Sequence, residues 1–135
     1  MSYPIETIEG IAKVYGAGLR DAGITTTGQL LAKAYTPIGR KELAAKSGIS
    51  EHLILKWADM ADLMRIKGIA TQYAELLASA DVTCVDELAT RVPGHLHQAL
   101  IEANGKHKQV RQMPVLSQIE AWIAQAKTLP PRMEY

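Results

Sequence analysis

The stretch GIAKVYGAGLRDAGIT, which begins at Gly10, returns as GIATQYAELLASADVT, which begins at Gly68. A shift of 58 positions aligns Ile8 with Ile66, Gly10 with Gly68, Ile11 with Ile69, Tyr15 with Tyr73, Leu19 with Leu77 and Thr25 with Thr83. Late in each half the match resumes at a shift of 65, with Ile54 on Ile119, Trp57 on Trp122 and Ala61 on Ala126; seven additional residues within 93–114 account for the change. One pair of copies predicts two like units packed on each other, whereas a solenoid needs a longer array to bury its faces. The predicted units are 1–62 and 63–129, forming one compact domain, with 130–135 as a loose tail.

Each unit reads as a series of short helices. Residues 11–21 carry Ile11, Val14, Tyr15 and Leu19 at helical spacing, and Gly23 suits the left-handed position after a helix end. Thr25 or Thr26 can cap a helix running to about 34, and Thr36 with Pro37 opens another that stops at Gly48. Ser50 then caps a helix with Leu53, Trp57 and Met64 on one apolar stripe. The second unit repeats the scheme over 69–79, 84–91, about 93–103 and 115–128. Period-two alternation is missing and, with no Phe and only two Trp, Leu, Ile, Ala and Val must supply most of the core. The fold class is therefore all-α, an internally duplicated bundle of short helices.

Charge narrows the partners. The net charge is +1, with seven basic against seven acidic residues in 1–62 and eight against seven in 63–129 and its tail, so any nucleic-acid surface must be a local patch. Cys84 is the only cysteine, which excludes an intramolecular disulfide and predicts a reducing compartment. MSYPIETIEG lacks the basic start and apolar core of a signal peptide, and no apolar run approaches a membrane span. A soluble cytoplasmic protein without membrane contact is expected.

An apolar residue, then Gly-Ile-Ala opening a helix, with GIT or DVT at its end, resembles the helix-hairpin-helix motif. The whole plan, including the junction LKWADMADLMRIKGIA, is similar to a bacterial family of unknown function built from paired helix-hairpin-helix units. The resemblance implies two such units packed together and a turn whose backbone N–H groups hold a nucleic-acid phosphate without reading sequence. Helix starts suit that task, because their first N–H groups lack internal partners and the helix dipole favours an anion. Where the motif normally has its second glycine, this chain has Ala12 and Ala70. The first turn, Gly10, Ile11, Ala12 and Lys13, is preceded by Glu6 and Glu9, which repel phosphate. The second is better equipped, and the candidate nucleic-acid residues are Arg65, Lys67, Gly68, Ile69, Ala70 and Thr71. The loop NGKHKQVRQ at 104–112 adds Lys106, Lys108 and Arg111, which would join Arg65 and Lys67 in one patch if the fold brings them together.

Other chemistry finds less support. ELAAKSGISEHLILKWADM at 42–60 has the outline of a helix-turn-helix, but Glu51 and Asp59 on its second helix are poor partners for a polyanion, and SGIS is good capping chemistry. His95, His97, His107 and Cys84 lack the spacing of a metal site. Cys84 begins a helix, where the dipole would lower its pKa, yet its counterpart Thr26 points equally to a cap. GAG at 16–18 lies within a helix and does not follow a strand. No enzyme, cofactor or metal is indicated. The expected function is a non-catalytic binding module for a DNA or RNA backbone. The rival is a protein-interaction or self-association domain, favoured by the near-neutral charge and the acidic first turn.

Overall fold

The computed structural model describes residues 2–8, 10, 11 and 13–135, so Glu9 and Ala12 of the first glycine turn lie outside the described residues. Local capping explains where its helices begin. After a 3-10 turn at Ile5–Thr7 come α1 (Lys13–Asp21), α2 (Thr27–Ala34), α3 (Pro37–Ser47) and α4 (Glu51–Leu63). The Thr26 hydroxyl accepts from Gln29 N–H, Thr36 from Gly39 N–H and Ser50 from Leu53 N–H, each satisfying a donor that a helix start leaves over. Gly48, at φ 74°, ends α3 in the left-handed region. The other four helices are α5 (Thr71–Ser79), α6 (Val85–Ala89), α7 (Pro93–His107) and α8 (Leu116–Thr128). No strand occurs among the described residues.

Positions aligned by the two shifts sit in like surroundings. Ile11 N–H reaches the Ile8 carbonyl at 3.2 Å, as Ile69 N–H reaches Ile66 at 3.1 Å. Ile24 N–H closes the end of α1 on Leu19 at 2.8 Å, as Val82 closes α5 on Leu77 at 2.9 Å. The Tyr15 and Trp57 rings lie 5.3 Å apart, and so do Tyr73 and Trp122. Gly10 and Gly68 take φ values of 97° and 94°, where a side chain is disfavoured.

One apolar cluster joins all of this, with Ile8, Leu19, Leu30 and Trp57 continuous with Ile66, Leu77, Leu88 and Trp122. Fully burying such side chains contributes about 1.5–3 kcal/mol each. α4 is central: it packs on α2, α3 and α5 and buries Ile54, Trp57, Ala58, Met60, Ala61, Asp62 and Leu63. The turn at 48–50 therefore joins two core helices.

Three features differ from the sequence prediction. First, α7 runs to His107, beyond the Asn-Gly pair at which it was expected to stop, so Lys106 is helical. Asn104 makes this possible by clasping Val110: its Oδ1 accepts Val110 N–H at 3.0 Å and its Nδ2 donates to the Val110 carbonyl at 3.2 Å. Lys108 then ends the helix at φ 50° and Val110 returns to the core, which offsets the roughly 1 kcal/mol cost of Gly105 within a helix.

Second, residues 130–135 are extended but held, not loose. Buried Arg40 donates to the Ala34 carbonyl at 2.9 Å and the Glu134 carbonyl at 2.8 Å, while Glu134 N–H bonds the Tyr35 carbonyl at 2.8 Å. Met133 packs on the core, Arg132 lies over the Tyr35 ring at 5.4 Å, and Tyr135 donates to Asp59 Oδ1 at 2.6 Å.

Third, Cys84 precedes α6 without making a side-chain cap. Asp62, 23 residues earlier, accepts the buried Val85 N–H at 2.9 Å instead. Burial raises the Cys84 pKa, so the thiol stays protonated and the dipole effect does not prevail.

Candidate functional site

The start of α5 faces the loop after α7 across a polar trough. Two adjoining hollows of about 360 and 410 Å3 share Lys108 and Gln109. The first is closed by Gly10, Lys56, Glu75 and His107; the second by Gln72, Tyr73, Arg111 and Gln112. The backbone that makes the trough is set by its own contacts. Tyr73 rests on Trp122 and donates to the Gln112 carbonyl at 3.1 Å, and Ser79 bonds Gln109 Oε1 at 2.9 Å, so both ends of α5 hold the loop. The Asn104–Val110 clasp fixes the loop's other side. The N-cap residue of α5 is Ala70, which has no side-chain acceptor to cap it, and the helix dipole favours an anion there.

The candidates divide into separate places. Lys108 and Arg111 line the trough, and Gly10 of the first turn reaches it from the opposite side. Lys106 lies instead in a hollow with Asp81 and Glu102. Arg65 and Lys67 are not among the trough's lining residues. Arg65 faces Arg132, Ser2 and Gly28 on another side, where its Nε stands 3.1 Å from Asp62 Oδ1 as an ion pair and its Nη2 donates to the Pro130 carbonyl at 3.0 Å. Lys67 is exposed, but its N–H bonds Gln125 Oε1 at 3.0 Å. In the turn between them and α5, Ile69 is buried and its N–H is taken by Ile66, while Ala70 is the exposed residue at the helix start. Thr71 begins the helix. In the first turn, Ile11 is buried, Lys13 is exposed at the start of α1, and Ala12 is not described.

Electrostatics sharpen this division. Asp62 is buried, and burial raises its pKa against the lowering effects of the Val85 N–H and Arg65. Arg65 thus serves as counter-charge to a structural carboxylate. Glu6, beside the first turn, pairs with Arg20 at 2.6 Å, and that hydrogen bond holds its carboxyl at about 2. Lys56 meets Glu75 at 3.8 Å across the first hollow, so Lys108 and Arg111 dominate the trough's charge. Gln109, Gln112 and Lys56 came into the site without a local signal, because the loop and α4 meet α5 only through tertiary packing.

Among the described residues no three His, Cys, Asp or Glu side chains converge as metal ligands, and no helix is long and apolar enough to cross a membrane. By fold this is an all-helical protein with one continuous core and a basic trough beside a helix start. The chain belongs to the family described as a domain of unknown function (DUF4332), whose family model matches residues 9–129. No curated protein and no solved structure matches it.

Proposed function

We propose that the protein is a non-catalytic binding module, a duplicated pair of helix-hairpin-helix units, that grips a nucleic-acid backbone without reading its sequence. The observation that carries this reading is the pairing of Lys108 and Arg111 with the start of α5 in one trough. Two exposed cations beside a helix dipole suit a phosphate, and Gln72, Gln109 and Gln112 supply neutral donors along the same path. The matched surroundings of Gly10 and Gly68, and of the Tyr15–Trp57 and Tyr73–Trp122 pairs, support the duplication. Of the expected contact residues, Lys108 and Arg111 line the trough, whereas Arg65 pairs with Asp62 and the Pro130 carbonyl on another side.

Labelled duplex and single-stranded DNA, titrated at low salt, test the reading. Binding of both with similar affinity, lost in Lys108→Glu with Arg111→Glu, is the expected outcome. Absence of binding at low ionic strength overturns it. A second reading, protein interaction or self-association, is favoured by the adjacent exposed side chains Val115 (55%) and Leu116 (42%) at the start of α8. Light scattering that gives a monomer at all concentrations, together with capture of no partner, counts against that one.

A further inference from the structure

A second cleft, of about 210 Å3, lies between α4 and α5. Its α4 wall is one helical stripe, residues 52, 55, 56, 59, 60 and 63, and opposite it α5 offers only Ala74 and Ala78 beside Glu75. The short alanines leave open the space that Leu55, Met60 and Leu63 do not fill. Asp59 and Thr83 also line this apolar cleft. Its Oδ1 accepts the Tyr135 hydroxyl at 2.6 Å, and among the described residues no cation lies within 4 Å of it. Lys56, the cation on the cleft wall, pairs with Glu75. The groups acting on Asp59 from outside are Asp62 and Glu87, which add negative charge, and Arg40, which opposes them more weakly.

We propose that this cleft binds a small-molecule amine, with the ammonium against Asp59 and a short aryl or alkyl body between Leu55, Leu63, Ala74 and Ala78. Size supports a compact body: an aliphatic cavity of about 150 Å3 accepts benzene, and this cleft is somewhat larger. Charge selects the cation, since a carboxylate ligand would meet Asp59 and Glu75 on the cleft wall, with Glu87 adding negative charge behind Asp59. Burial lifts the Asp59 carboxyl to about 6, so at neutral pH it is an ionised, poorly solvated group that an ammonium would stabilise. This site shares no residue with the α5–loop hollow except through the Lys56–Glu75 pair that borders both clefts, and it stands independently of nucleic-acid binding.

The test titrates the full chain with phenethylammonium, 2-phenylethanol and 3-phenylpropanoate, followed by amide chemical shifts in two-dimensional NMR. The ammonium is expected to shift residues 55–63 and 74–83 and to bind about tenfold or more tightly than the alcohol at pH 7.5, with the carboxylate weakest. Its advantage shrinks at pH 5, where Asp59 holds its proton. Asp59→Asn should bind ammonium and alcohol alike at both pH values, and Ala78→Leu should exclude both. His52, Lys56, Glu75, Cys84 and Tyr135 also face the cleft or Asp59, so a pH effect surviving in Asp59→Asn would assign it to them and overturn the proposal. An ammonium that shifts nothing along the cleft, or binds no better than the alcohol, overturns it as well.

Discussion

Asp62 and Arg65 show how a charge near a turn can belong to the core. Asp62 closes the start of α6 through Val85, and Arg65 neutralises its other oxygen with a side chain that is only 19% exposed. Arg65→Ala would leave a buried carboxylate without its cation and is expected to cost about 2–4 kcal/mol in urea unfolding. A surface Lys changed in the same way stays within about 0.5 kcal/mol. Asp59 makes the complementary case. Its carboxyl is lifted from 3.8 to about 6, so between these values the folded chain keeps a proton that the unfolded chain has released. Stability is therefore greatest below the unfolded value and falls as pH rises through about 6. Asp59→Asn removes that loss: it is expected to be more stable than the parent chain by about 1–2 kcal/mol at pH 8, allowing for partial solvent screening, with no difference near pH 4. Thermal unfolding across that range checks both ends.

The two glycine turns have the same backbone but different room. A Cβ on Gly68 would stand 3.1 Å from Trp122 Nε1, while one on Gly10 would be 3.7 Å from Trp57 Nε1. Both substitutions meet the cost of positive φ, about 1–2 kcal/mol, and Gly68→Ala must also move an indole. Gly68→Ala is accordingly expected to lower the urea midpoint further than Gly10→Ala; equal losses would show that Trp122 yields freely. The segment 130–135 is held in part by one side chain from α3. Arg40→Ala leaves the Ala34 and Glu134 carbonyls without their shared donor. Amide exchange at residues 133–135 should then rise by an order of magnitude or more, while exchange in α8 changes little. Unchanged exchange at 133–135 would mean that the other contacts, Arg65 to Pro130, Arg132, Met133 and Tyr135 to Asp59, hold the segment.

For the molecule as a whole, a near-neutral chain can carry a local anion site only if tertiary packing gathers its cations. Backbone binding through Lys108, Arg111 and about one further contact predicts a slope near −2 to −3 in the logarithm of affinity against the logarithm of salt. A slope near zero, with binding intact, would assign affinity to apolar contacts. The helices were legible because their signals are local: Thr26, Thr36 and Ser50 cap within three residues, and Leu53, Trp57 and Met64 recur at helical spacing along α4. The repeat likewise marked the two glycine turns, but the packing of Tyr15 on Trp57 and of Tyr73 on Trp122, with each indole beside its turn, came only with the fold. The candidate site was only partly legible. Lys108 and Arg111 stood out as a basic run, but their neighbours did not, and Arg65 looked like their companion. Composition and periodicity determine which residues are buried and where helices start, since those depend on a few adjacent positions. Only the folded chain decides that Asp62 closes α6 at Val85 across 23 positions, that Asn104 carries the basic loop to Tyr73, and that Arg40 holds Glu134 across 94 positions. Those choices follow from pairing buried charges and carbonyls across the core, and such pairings leave no pattern along the sequence.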